Sequence, residues 1–498
     1  MLKKILRTAG TDALKYFPVR LVPALTALVT VPVFSRLIAR ADYGDFYLVN
    51  SAVSLTATFA TAWLNASIVR FYWAEEKEGR LDEYVSTVVW LSFAVLLAGA
   101  AVLGVVFLVL RDSFPQTLSR LVPVALAGLV MGQFVGIMQQ LLRAANKPSK
   151  YAILSVISNL IATALGVFFV AVSHWGSLGI LVGVVVGNAF MLPLALRYAR
   201  AEGSISVRHF RANTAREFAV YGIPMIPAAI SSWVLVLSDR YIIGLTQSVS
   251  DLGLYGTAYG LGDKLMGLVT APLLIAIGPV LIQTFEREGP KLAQQVQTQL
   301  TRYYAMVTVP LVFGLIVLSK NFMQVFVGPL YRSAYGVLPI VAAGVMLYGV
   351  SQIASNGLAL HKKTVIIMQN TLIAAAVQVS LNLVLVPRYG YPVAAWTTLF
   401  SYALILLLAW IRSRPYLAWR LPVADLVRIA AASCVMAVVV AVAGRALPVN
   451  FGTLLAEILL GVIAYAFTLW AVRGLRADEI DFAREIAASI GRRLHLRG

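Results

Sequence analysis

Fourteen times along this chain, about twenty consecutive residues are almost entirely apolar. Twenty residues of α-helix rise about 30 Å, the thickness of a bilayer's hydrocarbon core. In lipid, backbone N–H and C=O groups find no water, so a lone spanning segment must satisfy them internally, as a helix does. The runs fall near residues 17–38, 43–69, 84–110, 120–142, 150–172, 177–197, 218–246, 252–282, 303–325, 335–360, 365–387, 392–411, 425–444 and 452–472. Composition agrees, with 60% of residues hydrophobic and 13% charged, against about 25% charged in soluble domains. The expected fold class is an all-α polytopic membrane protein with about 14 transmembrane helices.

The net charge of +19 invites a nucleic-acid reading. In a membrane protein, however, Lys and Arg gather in the cytoplasmic connections and set orientation. Of the 41 basic residues, 31 lie in segments on one side and 8 on the other, with Arg240 and Lys264 inside spans. An even number of spans and this bias place both termini in the cytoplasm. The first residues lack the pattern of a cleavable signal. Leu2, Ile5, Leu6, Ala9 and Ala13 instead share one side of an expected surface helix. The tail repeats this design, with Ile480, Phe482, Ile486 and Ile490 near one face.

The opposite connections are too short to hold an extramembrane catalytic domain, which counts against a polymerase, ligase or glycosyltransferase. The chain has no phosphate-binding loop and no nucleophile elbow. Its one cysteine, Cys434, and the scattered His174, His209, His361 and His495 form no metal-ligand spacing. No catalytic residues, metal site or cofactor are expected.

An internal repeat organises the spans. VPALTALVTVPVFSRLI (22–38) aligns with IPAAISSWVLVLSDRYI (226–242), matching Pro23 with Pro227 and Arg36 with Arg240. LVPVALAG (121–128) aligns with VLPIVAAG (337–344), and Tyr43-Gly44 with Leu252-Gly253. Each half contains six spans and so starts on the same side, the arrangement of parallel repeats that hold a substrate between them. The expected division is residues 1–210 and 211–420 as two six-helix lobes, with 421–498 an extra helix pair and tail. Prolines 23, 32, 123, 224, 227 and 339 are expected to interrupt their helices.

RLIARADYGDFYL, LLRAANKPSKY, YGIPMIPAAISSWVLVLSDRYIIG, LGLYGTAYGLGDKL and RYGYPVAAWTTLFSY resemble the polysaccharide transporter family. These are the O-antigen and exopolysaccharide flippases of the multidrug/oligosaccharidyl-lipid/polysaccharide superfamily, and the resemblance covers nearly the whole chain. It implies two pseudo-symmetric six-helix bundles around a V-shaped, cationic central cavity. It also implies transfer of an undecaprenyl-pyrophosphate-linked oligosaccharide across the bacterial inner membrane by alternating access, coupled to a proton or sodium gradient. Membrane lipids and polysaccharide assembly proteins such as a polymerase are the implied partners. A drug antiporter of the same superfamily is the alternative, although it favours an acidic, aromatic cavity and these spans hold more Arg and Lys than Asp.

Ionisable residues at membrane depth are functional candidates. Arg36 and its repeat mate Arg240 either face each other across the cleft or anchor at the outer interface. Asp263 and Lys264 fall about 17 Å into the eighth span, near the midplane. Their first-half counterparts are Ser54 and Leu55. Lys264 is a candidate phosphate ligand, and Asp263 a candidate for the coupling ion. The alternative is a structural ion-pair cluster with Asp239 and Arg240. Arg20 and Arg70, at cytoplasmic ends, either guide the pyrophosphate or only set topology, and Asp239 is a second coupling candidate. Trp63, Trp233 and Tyr259 either stack on sugar rings or pack. Gln378, Asn382, Gln352 and Asn356 either contact sugar or bond neighbouring helices.

Overall fold

The computed structural model describes residues 2–475, apart from the side chains of 2–17, Arg20, Ser113, Ala276 and Pro279. The apolar face expected over Leu2–Ala13, the guanidinium of Arg20 and the tail helix with Ile480, Phe482, Ile486 and Ile490 lie outside the described residues.

Among the described residues the chain is helical throughout, without a strand. The first six helices are α1 (Leu2–Leu37), α2 (Arg40–Lys77), α3 (Leu81–Leu110), α4 (Gln116–Ala144), α5 (Pro148–Ala171) and α6 (Ser177–Arg200). The seventh crossing is broken into α7 (Ala212–Gly222) and α8 (Ile226–Thr246). Then follow α9 (Val249–Glu288), α10 (Pro290–Phe326), α11 (Val337–Leu360), α12 (Thr364–Tyr389), α13 (Pro392–Ser413), α14 (Val423–Gly444) and α15 (Phe451–Ala471). Thirteen crossings are long and apolar enough to span a bilayer, and the apolar part of α1, Leu21–Leu37, is a shorter fourteenth.

Two expectations needed correction. The helices do not stop at the ends of the apolar runs 252–282 and 303–325: α9 and α10 continue through 283–302 as 40 and 37 residues of helix, meeting at Gly289. Its Gln- and Leu-rich residues favour helix, and Ala293, Val296 and Leu300 pack against Ile277, Val280 and Leu281 in a core of their own. Nor do all six prolines interrupt helices. Pro23, Pro32 and Pro123 lie within continuous helices. Pro339 occupies the first turn of α11, where its missing N–H has no helical partner to lose. Only the Ile223–Met225 turn, which holds Pro224 and abuts Pro227, breaks a crossing.

The repeat is visible in which helices touch. In the first half α1 packs on α5, α2 on α4, and both α4 and α5 on α6; in the second α8 packs on α12, α9 on α11, and both α11 and α12 on α13. The halves meet mainly through α1 and α2 on one side and α7, α8 and α9 on the other, with α3 also on α7 and α1 also on the end of α10 and the connection after it. The extra pair α14–α15 leans on α10. Arg302 of α10 is fully buried there, 3.2 Å from Asp425 of α14 and donating at 2.6 Å to the Gly474 carbonyl beyond α15. That burial requires the last pair to be an integral part of the second half's packing.

The two ends of the halves' contact differ. At the face away from the basic connections, Phe34, Ile38 and Tyr43 of the first half share one core with Ile242, Leu252, Tyr255, Val327 and Tyr331 of the second. At the basic face α7 joins the first half: Phe218 is buried in the core made by Trp63, Tyr72, Tyr84 and Leu141.

Candidate functional site

The closed face is built around two matched glycines. A Cβ on Gly44 would stand 1.9 Å from the Val249 carbonyl oxygen, and one on Gly253 would stand 2.2 Å from that of Arg40. Only glycine permits this approach, so the α2–α9 crossing takes place where the two repeat mates meet. One turn further, the Tyr47 ring of α2 fills the space over Gly256, whose Cβ would lie 2.6 Å from it.

Arg36 does not face Arg240 across a cleft. It is exposed, and its guanidinium donates to Val325 O at 2.9 Å, Phe326 O at 3.3 Å and Pro32 O at 2.8 Å. These first two are among the orphan carbonyls that end α10. The Gly328 N–H donates to the Ser35 hydroxyl at 2.9 Å, and the Tyr331 hydroxyl to Ile38 O at 2.9 Å. The end of α1 is thus strapped to the α10–α11 connection of the other half.

Asp239 and Arg240 are buried in the second half, 0% and 7% exposed. Arg240 Nη1 lies 3.2 Å from Asp239 Oδ1 and donates to Val236 O at 2.8 Å. The Tyr255 hydroxyl donates to Asp239 Oδ2 at 2.5 Å, and the guanidinium lies over the Tyr259 ring at 4.9 Å. The pair is self-contained. It does not join Asp263 and Lys264 in a wider cluster, because the long Arg side chain folds back on its own neighbour.

Asp263 and Lys264 are half-exposed, at 46% and 50%, and 4.0 Å apart. Lys264, Gly267, Ala271, Leu274 and Gly278 recur at three- and four-residue spacing, so they share one face of α9. Ala271, Leu274 and Gly278 line a cavity of about 480 Å3, closed on the α11 side by Tyr348, Gln352 and Asn356. A second cavity, of about 800 Å3, lies between Phe71 of α2 and Asn213, Arg216, Glu217, Val220 and Tyr221 of α7. Arg70 is exposed beside it, its guanidinium 5.8 Å from the Phe71 ring centre. Both cavities lie in the half of the spans toward the basic connections.

Trp63 and Tyr259 are buried, at 8% and 3% exposure, and so unavailable to a sugar. Gln378 and Asn382 bond Thr398 and Thr397 across α12 and α13, at 3.1 and 2.5 Å. The α7 face went unnoticed in the sequence, although its i, i+3, i+4, i+7, i+8 pattern from Asn213 to Tyr221 was readable there.

Residues 11–285, over half the chain, match the family described as "Polysaccharide biosynthesis protein". The chain belongs to this family. A relative within reach of sequence comparison is the "Probable low-salt glycan biosynthesis flippase Agl15" of Haloferax volcanii, 21% identical over 396 residues that cover 79% of this chain and 80% of that one. Among solved structures, the lipid II flippase MurJ in an inward closed conformation superposes with a TM-score of 0.74 at 17% identity, covering 91% of this chain and 97% of its own. An inward-facing multidrug resistance MATE family transporter superposes with a TM-score of 0.61 at 13% identity, covering 80% and 94%. The fold is the one these transporters share. This member of the polysaccharide biosynthesis family is a multi-pass membrane transporter of the flippase type, not an enzyme.

Proposed function

We propose that the protein carries an undecaprenyl-pyrophosphate-linked oligosaccharide from the inner to the outer leaflet of the bacterial cytoplasmic membrane, with both termini in the cytoplasm. The observation that carries this reading is Lys264, a half-exposed ammonium on a helix face that continues into a cavity. A charge at membrane depth needs water or an opposite charge; Asp263 answers Lys264 only at the outer limit of an ion pair, 4.0 Å, which leaves the half-exposed ammonium open to a pyrophosphate. Closure at the Gly44–Gly253 crossing, with cavities on the basic side, supports an inward-facing state. In this reading the lobes 1–210 and 211–420 rock against each other, with α7 moving with the first lobe on which it packs, the Ile223–Met225 turn as the hinge, and the helix pair of 421–498 as a brace on the second lobe.

The site residues then have different tasks. Lys264 holds a phosphate oxygen, while Arg70 and Arg20 attract the pyrophosphate at the basic end. Arg36 secures the outward mouth, and its release accompanies opening. Asp263 is the group we assign to a coupling proton or sodium ion. Asp239 takes part only through Arg240, which already stands where a cation would. That neutralisation also disfavours the cationic-drug antiporter reading. Membrane lipids and a polysaccharide polymerase or other assembly proteins are the partners this role requires.

Depletion in the producing cell tests the function. Lipid-linked oligosaccharide accumulates in the inner leaflet if the reading holds; unchanged leaflet distribution refutes it. Reporter fusions at both termini test the orientation, and a periplasmic signal from either would reverse it.

A further inference from the structure

The α7 helix is held rigidly against the first half. Its Phe218 is fully buried and stacks on Phe71 at 5.6 Å, and the Ser67 hydroxyl donates to Phe218 O at 2.9 Å. At one end Gly222 lies so close to α2 that a Cβ would stand 2.2 Å from Trp63 O. At the other, the Arg211 guanidinium pairs with Glu83, and the Arg211 N–H donates to the Thr87 hydroxyl at 3.0 Å. What remains free is the opposite face, and it lines the 800 Å3 cavity.

The chemistry of that face is mixed in a particular way. The Tyr221 ring stands edge-on to Phe71 at 5.5 Å, and since Phe218 and Arg70 already lie against Phe71, Tyr221 supplies the aromatic surface. Asn213 supplies an amide, Arg216 donors only and Glu217 acceptors only. Within the lining the charges of Arg216 and Glu217 cancel, and the exposed Arg70 beside it leaves one cation at the rim for the pyrophosphate. A phosphate inside the lining would meet the Glu217 carboxylate, and an alkyl chain would match Val220 and Tyr221 but leave Asn213, Arg216 and Glu217 unanswered. A polyhydroxyl ring offers both donors and acceptors at its edge and C–H groups on its faces. The volume lies within the range of about 300–1,000 Å3 typical of small-molecule sites.

We propose that the α2–α7 cavity is a glycan subsite, which binds sugar rings of the substrate apart from the pyrophosphate. This rests on the reading of the chain as a carrier of a lipid-linked glycan. Tyr221 covers a ring face, with Phe71 supporting it edge-on. Asn213, Arg216 and Glu217 exchange hydrogen bonds with hydroxyls, so selectivity for the sugar resides on α7 and not on the midplane charges.

Two variants of the full chain test this, Asn213→Ala/Glu217→Ala, at exposed positions that α7 does not need for packing, and Tyr221→Ala. Native mass spectrometry in detergent compares undecaprenyl pyrophosphate, which has no sugar, with lipid-linked oligosaccharide extracted from producing cells. The wild-type chain is expected to prefer the glycolipid. Each variant is expected to bind the glycolipid about tenfold more weakly, the scale of lost hydrogen bonds or a ring contact, with undecaprenyl pyrophosphate unchanged. Equal wild-type affinity for the two lipids, unaltered glycolipid binding by both variants, or parallel loss of both lipids overturns the subsite while leaving the flippase reading in place. A wild-type chain that binds neither lipid removes that reading, and this inference with it.

Discussion

Two charged pairs with similar sequences have opposite environments. Asp239–Arg240 is buried, bonded to Tyr255 and covered by Tyr259. Removing one member would leave the other unpaired at a cost of about 3–5 kcal/mol, whereas replacing both with apolar residues is often neutral. Asp239→Ala is therefore expected to lower the thermal unfolding temperature in detergent by several degrees, and Asp239→Leu/Arg240→Met to restore most of the loss. Equal melting of the single and double variants would argue against a buried, mutually dependent pair. Asp263–Lys264 is half-exposed, so Lys264→Ala should leave unfolding unchanged yet reduce flipping in proteoliposomes by about tenfold or more, since a charged hydrogen bond contributes about 1.5–3 kcal/mol. Wild-type flipping by Lys264→Ala would remove this residue from the site. Both pairs are legible in the sequence as charges in apolar runs. Their difference is not, because exposure depends on which neighbouring helix covers each face.

At the level of elements, close approach depends on glycine. Gly253 lets α9 cross α2 against the Arg40 carbonyl, and the same face is held by Arg36 on Val325 and Phe326. A Gly253→Val side chain cannot fit without separating the helices. The expected outcome is an opened outward mouth, read as faster maleimide labelling of a cysteine at the buried Ser238 position (S238C) in a C434S background. Labelling no faster than in the parent would mean that the crossing is not the closure. The span boundaries were readable to within a few residues for most helices, since about twenty apolar residues are demanded by lipid. The helical extension through 283–302 was not, because outside lipid it depends on packing between α9 and α10. The break between α7 and α8 was readable in part: Pro224 and Pro227 mark it, but so did prolines that interrupt nothing.

Across the whole molecule, the last two helices brace the second half around a buried cation, with an apolar core and the Tyr465–Met306 and Glu457–Asn321 hydrogen bonds beside it. Truncation after residue 421 would remove Asp425 and the Gly474 carbonyl from Arg302, which is 0% exposed. Such a chain is expected to express poorly and to aggregate in detergent. Arg302→Met in the truncated chain, which removes the stranded charge, should recover part of the monodisperse peak in size-exclusion chromatography. A stable truncated chain with Arg302 intact would show the helix pair to be dispensable for folding. The pair lies outside the repeat expected from the sequence, and in the structure it packs chiefly on α10.

From the residues alone one can read that this chain crosses a membrane about fourteen times, with an internal repeat among its spans, and to which transporter family it belongs. Those properties are set by local rules: apolar length against bilayer thickness, and recurring Pro, Gly and Arg at constant offsets. Which charges meet water, which pair with each other and which secure a helix end are set by long-range contacts. Arg36 and Arg240 occupy matching positions in the repeat, yet one caps α10 of the other half and the other neutralises Asp239 beneath Tyr259. The repeat gave them the same place in their helices, and only the asymmetric packing of the two halves gave them different partners.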